Sequence, residues 1–427
     1  MAKERTVKEA MGSLASSSLF RLSRGSRERF HTSFLAMMSD EYPDAMSRVW
    51  SSLLGREIKI RDGGRSEQER FHMDLHVPLQ GGGMLVLENK FRSLFKEDQL
   101  DKYWKKSNSA DYFLALGTST QFFRKGSCGR YIYPSGSEGL SGRHPWVYAD
   151  YFSDEAGQSL LQLLRELLTV VESGDKSDEK PRSAYLPSLL CDYVGMLEDL
   201  SVIIRSFRSE LSCRDKTISD LSQFIGECQQ VGVNDLLWKI FASEIARQIQ
   251  ACVDRSKNLR RCVHIGHELA PSSRKGVAEA YIQLDSDLGS DPKHRIAGVQ
   301  IEGVQYRKFV TGPFEGPSSQ SVDAARSIMT DSLWFNPESS ICSTLDNKGE
   351  RELPKVYPIQ KTTFPGFCSY RDRTKSWYFL YRYSKVSEMR IEEIVDSAIA
   401  DLEVLAEKRQ EIDQKIFGHD SREADSR

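Results

Sequence analysis

Three consecutive glycines set the geometry of the most informative stretch of this chain. Gln80-Gly81-Gly82-Gly83 separates two apolar runs, 70–79 and 84–90. Glycine supplies the positive φ values that a tight hairpin turn needs, so the runs are predicted to pair as antiparallel strands. Alternate strand residues share a face, which points Glu88 and Lys90 the same way. Paired strands lie about 5 Å apart, so Asp74 on the first strand comes near both when the register is right.

Two carboxylates and an ammonium at the end of apolar strands are costly to bury without a partner or a task. Their oxygens suit a hard divalent cation. Mg²⁺ takes one or two protein carboxylates and fills its remaining positions with water and phosphate oxygens. A water held by such a cation becomes a nucleophile, and the cation offsets charge growing on a phosphate. Lys90 would orient that water or stabilise the transition-state charge. In the plain alternative, Glu88 and Lys90 are an exposed cross-strand pair worth some tenths of a kcal/mol, and Asp74 is an ordinary polar strand residue.

The surrounding pattern predicts an α/β protein. Phe30, Phe34, Leu35 and Met38 recur at helical spacing over 26–40, and 56–62 alternates like a strand before Gly63-Gly64. An amphipathic helix over 97–107 and a buried strand over 111–117 follow the hairpin. Helices are predicted again over 154–171, 186–209 and 235–253, with strands over 278–285, 296–309 and 377–383. Residues 1–25, polar and rich in Ser and Arg, read as a flexible segment. The charged stretch 173–183 contains Pro181 and reads as a linker between a first domain, 26–172, and a helical plus β C-terminal domain, 184–427. The final helix, 391–416, carries Ile391, Ile394, Val395, Ala398, Leu402 and Leu405 on one face. It either covers its own domain or joins two copies of the chain.

Composition narrows the function classes. Lys and Arg total 59 against 61 Asp and Glu, so no global basic excess marks a nucleic-acid partner, and such a partner needs a local patch. One exists: Lys90, Arg92, Lys96, Lys102, Lys105 and Lys106 stand against Glu97, Asp98 and Asp101 within 89–106. Arg21, Arg24, Arg27 and Arg29 lead into the first helix of the predicted domain. These cations could position phosphates, and a solvated helix face accounts for the lysines equally well. The most apolar stretch, 159–171, is broken by Gln162, Arg165 and Glu166, so no membrane span is expected. The first 25 residues lack the apolar core of an export signal. Eight cysteines without a C-x-x-C pair point to reduced thiols in a cytoplasmic chain rather than to zinc.

Asp74, then Glu88-Asn89-Lys90 closing an apolar strand, within a helix–strand–strand–strand–helix–strand order, resembles the PD-(D/E)XK nuclease superfamily. Gln99 and Tyr103 share a helical face four residues apart, and their Gln-x-x-x-Tyr spacing is similar to the added motif of RecB-like members. Glu28 matches the first-helix glutamate that many members place beside the metal. The resemblance spans roughly residues 26–120. It implies a restriction-endonuclease-like mixed sheet flanked by helices and Mg²⁺- or Mn²⁺-dependent hydrolysis of phosphodiesters, usually in DNA. It also implies metal ligands at Asp74, Glu88, Asn89 and Glu28, with Lys90, Gln99 and Tyr103 completing the site. Relatives with this plan are commonly bacterial proteins suspected in defence against foreign DNA. The competing class is a binding or regulatory protein that kept the fold and lost turnover.

Two other features weigh less. His72 and His76 flank Asp74 and are read mainly as packing residues. His264-Ile265-Gly266-His267 spells a class I aminoacyl-tRNA synthetase signature but lacks its partner motif, and is read as chance. Aromatic residues of the second half, such as Tyr281, Tyr306, Phe309 and Tyr381, are expected mostly in the core.

Overall fold

A computed structural model describes residues 5–23, 27–69, 73–91, 95, 97–106, 108, 110–120, 123–126, 129–133, 144–153, 157–173, 185–269, 276–284, 296–314, 355–358 and 376–417. The chain is α/β and divides into two compact units, 1–208 with 228–236, and 209–227 with 237–427.

The first unit grows around the glycine turn. Gly81, Gly82 and Gly83 take φ values of 89°, 92° and 86°, the left-handed region that other residues avoid. Strands β2 (Leu75–Pro78) and β3 (Met84–Lys90) pair antiparallel across it, Leu75 opposite Leu87 and His76 opposite Val86. An edge strand, β1 (Glu67–Gln68), precedes them. Strands β4 (Tyr112–Gly117) and β7 (Trp146–Asp150) then add in parallel, because helix α5 (Glu97–Lys106) carries the chain back before β4. Two short strands, β5 (Arg124–Lys125) and β6 (Tyr131–Ile132), complete a mixed seven-stranded sheet in the order β1-β2-β3-β4-β7-β6-β5.

Both faces of that sheet are covered. Leu100, Tyr103 and Trp104 of α5 pack with Val86, Phe113, Trp146 and Tyr148 on one face. Helices α3 (Arg27–Glu41) and α4 (Pro43–Leu54) pack against each other; α3 lies against β1, β2 and β3, and α4 lies against β7 and α6 (Leu160–Ser173). The segment expected to be flexible is instead helical from Val7. Helix α1 (Val7–Ser16) starts at a reciprocal Thr6–Glu9 capping box and buries Ala10, Met11 and Leu14, and α2 (Ser18–Ser23) buries Phe20. The alternating 56–62 run forms only an isolated bridge, Ile60 to Leu79.

The expected linker lies almost wholly outside the described residues. The units part further on, inside α7 (Leu186–Ser212). The first half of α7 belongs to the first unit for a visible reason: Tyr193 stacks on Phe34 at 3.7 Å between ring centroids, and its hydroxyl hydrogen-bonds His31 Nδ1 at 2.7 Å.

The second unit holds an antiparallel six-stranded sheet. Its strands are β8 (Val263–Leu269), β9 (Gly276–Gln283), β10 (Ile296–Glu302), β11 (Gln305–Phe314), β12 (Lys355–Pro358) and β13 (Ser376–Lys385), in the order β12-β13-β11-β10-β9-β8. The run 296–309, expected as one strand, is two, because Gly303 turns the chain at a φ of 56°. Helices α8 (Ile218–Glu227) and α9 (Asn234–Arg255) precede the sheet. The last helix, α10 (Ile391–Phe417), lies on β9 and β10 and buries Ile394, Ala398, Leu402 and Leu405 within its own unit. Beneath it Lys308 Nζ donates to Asp401 Oδ1 at 2.5 Å, and the Tyr306 hydroxyl donates to Asp401 Oδ2 at 2.7 Å. No described helix is long and apolar enough to cross a membrane. Cys191, Cys213, Cys252 and Cys262 are not in disulfides.

Candidate metal centre

The hairpin register brings Asp74 level with Glu88. Glu88 and Lys90 face α5, as alternation requires, and there Glu88 is only 1% exposed. Lys90 Nζ lies 2.6 Å from Glu88 Oε1 and 3.8 Å from Asp74 Oδ2. Gln99 Nε2, one turn into α5, donates to Glu88 Oε1 at 2.8 Å and to the Tyr103 hydroxyl at 2.6 Å. Glu28 sits in the first turn of α3, a favourable place for an anion, and its charge acts on Asp74, Glu88 and Lys90. Direct contacts therefore join Asp74, Lys90, Glu88, Gln99 and Tyr103, and Glu28 acts on three of them through its charge.

The seventh, Asn89, needs a correction as a side-chain ligand. Its amide points to the opposite face of the sheet, where Nδ2 donates to the Glu28 carbonyl and to Thr32 Oγ1 while Oδ1 accepts from the Tyr151 hydroxyl. Its backbone N–H does face the site and donates to Asp74 Oδ2 at 2.7 Å. The N–H and C=O of one strand residue project to the same side, so only the main chain of Asn89 is directed at the cluster.

The electrostatics are unbalanced. Three carboxylates stand against one ammonium, a formal surplus of two negative charges. Burial pushes the Glu88 carboxyl up to about 7 against the pull of Lys90, with Asp74 adding to the push. Burial raises Asp74 as well, opposed by Lys90 and by the Asn89 N–H. Burial also opposes charge on Lys90, yet Glu88, Asp74 and Glu28 outweigh it and lift the ammonium above its ordinary range. Burial raises the Tyr103 phenol, so it stays protonated. Glu88 Oε2 is buried without a hydrogen-bond partner, a position that normally costs about 1–3 kcal/mol or more for a charged group.

This donor set fits a hard divalent cation. It offers carboxylate oxygens, one of them unsatisfied, with a local charge that such an ion would neutralise. Among the described residues no group of three or more His, Cys, Asp or Glu forms a preassembled cage. Mg²⁺ does not require one, since water and phosphate oxygens complete its shell.

Of the remaining expectations, His76 is buried in β2 and His72 lies outside the described residues. His264 and Gly266 lie on strand β8 rather than in a nucleotide-binding loop. Lys102, Lys105 and Lys106 are exposed on α5, whereas Lys90 is spent on the carboxylates. Sequence reading missed Thr32 and Tyr151: they reach Asn89 from 57 and 62 residues away, and no local pattern announces that meeting. No family model matches this chain, and no curated protein or solved structure does either.

Proposed function

We propose that the chain is a divalent-metal-dependent nuclease that hydrolyses phosphodiester bonds, in DNA foremost, through a restriction-endonuclease-like first unit. The observation that carries this reading is the buried, unpartnered Glu88 Oε2 within a surplus of negative charge. Asp74 and Glu88 would hold Mg²⁺ or Mn²⁺, with the Asn89 main chain and Glu28 beside them. The cation would supply Lewis-acid stabilisation of a phosphate and a nucleophile at neutral pH.

The chain's own groups divide the remaining tasks. Lys90, held between Glu88 and Asp74, presents an ammonium proton to the attacking water or to a phosphate oxygen. Gln99 and Tyr103 fix the Glu88 carboxylate through one hydrogen-bonded row. Exposed Lys102, Lys105 and Lys106 offer phosphate contacts next to the site. Defence against foreign DNA is the setting that the superfamily resemblance implies.

Incubation of purified protein with supercoiled plasmid, linear DNA and RNA, with Mg²⁺ or Mn²⁺, tests the proposal. Wild type should nick or cut DNA. Asp74→Ala should lose about a thousandfold or more, the rate equivalent of several kcal/mol of transition-state stabilisation. Full-rate cutting by Lys90→Ala would remove the role given to that lysine. Binding without cleavage by wild type and both variants would leave the non-catalytic reading standing instead.

A further inference from the structure

Asn89 holds both flanks of the carboxylate cluster with different atoms. Its backbone N–H donates to Asp74 Oδ2 at 2.7 Å. On the other face of the sheet, its Nδ2 donates to the Glu28 carbonyl at 3.2 Å and to Thr32 Oγ1 at 3.1 Å. The Thr32 hydroxyl donates in turn to the same Glu28 carbonyl at 2.8 Å. Oδ1 of Asn89 accepts from the Tyr151 hydroxyl at 2.9 Å. Asn89 and Tyr151 are fully buried and Thr32 nearly so. The amide has one workable orientation, because reversing it would set its oxygen against the Glu28 carbonyl and a hydroxyl whose proton is already committed.

The anchor point matters more than the bonds themselves. A brace that only secured α3 to the sheet could grip any turn of the helix. This one grips the carbonyl of Glu28, the residue whose carboxylate acts on Asp74, Glu88 and Lys90. Resting on the metal-dependent reading above, we propose that Asn89 is a positioning residue for that site: the Tyr151–Asn89–Thr32 brace seats the first turn of α3 so that Glu28 joins the acidic face presented to the cation. Without it, Asp74 and Glu88 remain on their hairpin and the third carboxylate loses its fixed place. Hydrogen-bond partners lying behind metal ligands are typically worth about ten- to a hundredfold in metal affinity.

Titration of the full chain with Mn²⁺, following the free ion by electron paramagnetic resonance, separates this role from simple packing. The proteins are wild type, Thr32→Val, Tyr151→Phe, Asn89→Ala, Glu28→Gln and the double variant Asn89→Ala/Glu28→Gln. Thr32→Val and Asn89→Ala should each weaken Mn²⁺ binding about tenfold. The double variant should bind within about twofold of Glu28→Gln alone, because both changes act through one carboxylate and so do not add. A lowered melting temperature with an unmoved Mn²⁺ midpoint, or a double variant whose losses add, overturns the inference. Should Asn89→Ala fail to fold, Thr32→Val and Tyr151→Phe, each lacking only a hydroxyl's hydrogen bonding, decide the matter. Wild type that binds no Mn²⁺ defeats the metal reading itself. Tight wild-type binding with insensitive variants defeats only the brace.

Discussion

Each unit of this protein buries a lysine against acid, and the two arrangements differ in their arithmetic. In the second unit Lys308 meets one oxygen of Asp401, and Tyr306 occupies the other. Both oxygens of that carboxylate are bonded. In the first unit Lys90 faces Asp74, Glu88 and Glu28, and Glu88 keeps an oxygen with nothing to bind. Burial of charge is common to both. The unbonded oxygen of Glu88 sets the first apart, and it is the feature on which the proposed cation site rests.

The contrast can be broken at its balanced end. Lys308→Met removes the ammonium that meets buried Asp401 and should cost about 3–5 kcal/mol in urea unfolding. Adding Asp401→Leu should recover most of that loss, because an apolar pair replaces a neutral pair. A single variant that unfolds like wild type would mean that Asp401 is not charged in the fold, and the comparison would lose its reference.

At the unbalanced end the sign reverses. The Glu88 carboxyl stands at about 7 when folded against an ordinary 4.5, so the native state holds its proton more tightly than the unfolded chain. That contribution is fully present below about pH 4.5 and is lost as pH rises through 7. Metal-free protein should therefore lose on the order of 3 kcal/mol from this group between pH 4.5 and 8. Burial lifts Glu279 in the second unit to about 7 as well, with the same sign, so Glu88→Gln serves as the control. That variant should be more stable than wild type at pH 8 without metal, and saturating Mg²⁺ should erase its advantage. Urea midpoints from pH 5 to 8, with and without Mg²⁺, measure this. A Glu88→Gln protein that is less stable at pH 8 would show that the carboxylate is satisfied after all.

A finer test separates charge from burial. Glu69 adds a further negative charge near Asp74, but it is largely exposed and pairs with Arg29 at 2.9 Å. Water screens such a pair, so Glu69→Gln should change thermal stability by less than about 1 kcal/mol. A larger change would make the count of charges, rather than their desolvation, the source of the imbalance.

Much of this arrangement was legible in the sequence, for reasons that are local. The glycine triplet fixed a turn, the turn fixed a hairpin, and two-residue alternation put Glu88 and Lys90 together. Four-residue spacing did the same for Gln99 and Tyr103. Where meaning depended on partners, the reading failed. The alternating 56–62 run lacks a full-length neighbour, and alternation alone does not make a strand. Residues 1–25 looked mobile because Ser and Arg dominate their composition. Yet Thr6-x-x-Glu9, ahead of Ala10, Met11 and Leu14, is a helix start with an apolar face. Asn89 belongs to the ligand set that the resemblance implies, and the same alternation that gathered its neighbours turns its amide away and leaves its main chain toward them. Thr32 and Tyr151 are tertiary facts with no sequence signal of their own.

The position of Tyr193 bears on any attempt to dissect the protein. A fragment ending in the charged stretch before residue 184 would amputate the ring that roofs Phe34 and the hydroxyl that meets His31. His31 itself stacks on Phe91, directly after Lys90, with centroids 4.1 Å apart. A shortened protein would thus be wetted immediately behind the strand that carries Glu88 and Lys90, and its silence in an assay would not test the proposed activity. An isolated first half should keep α7 and the short return at 228–236.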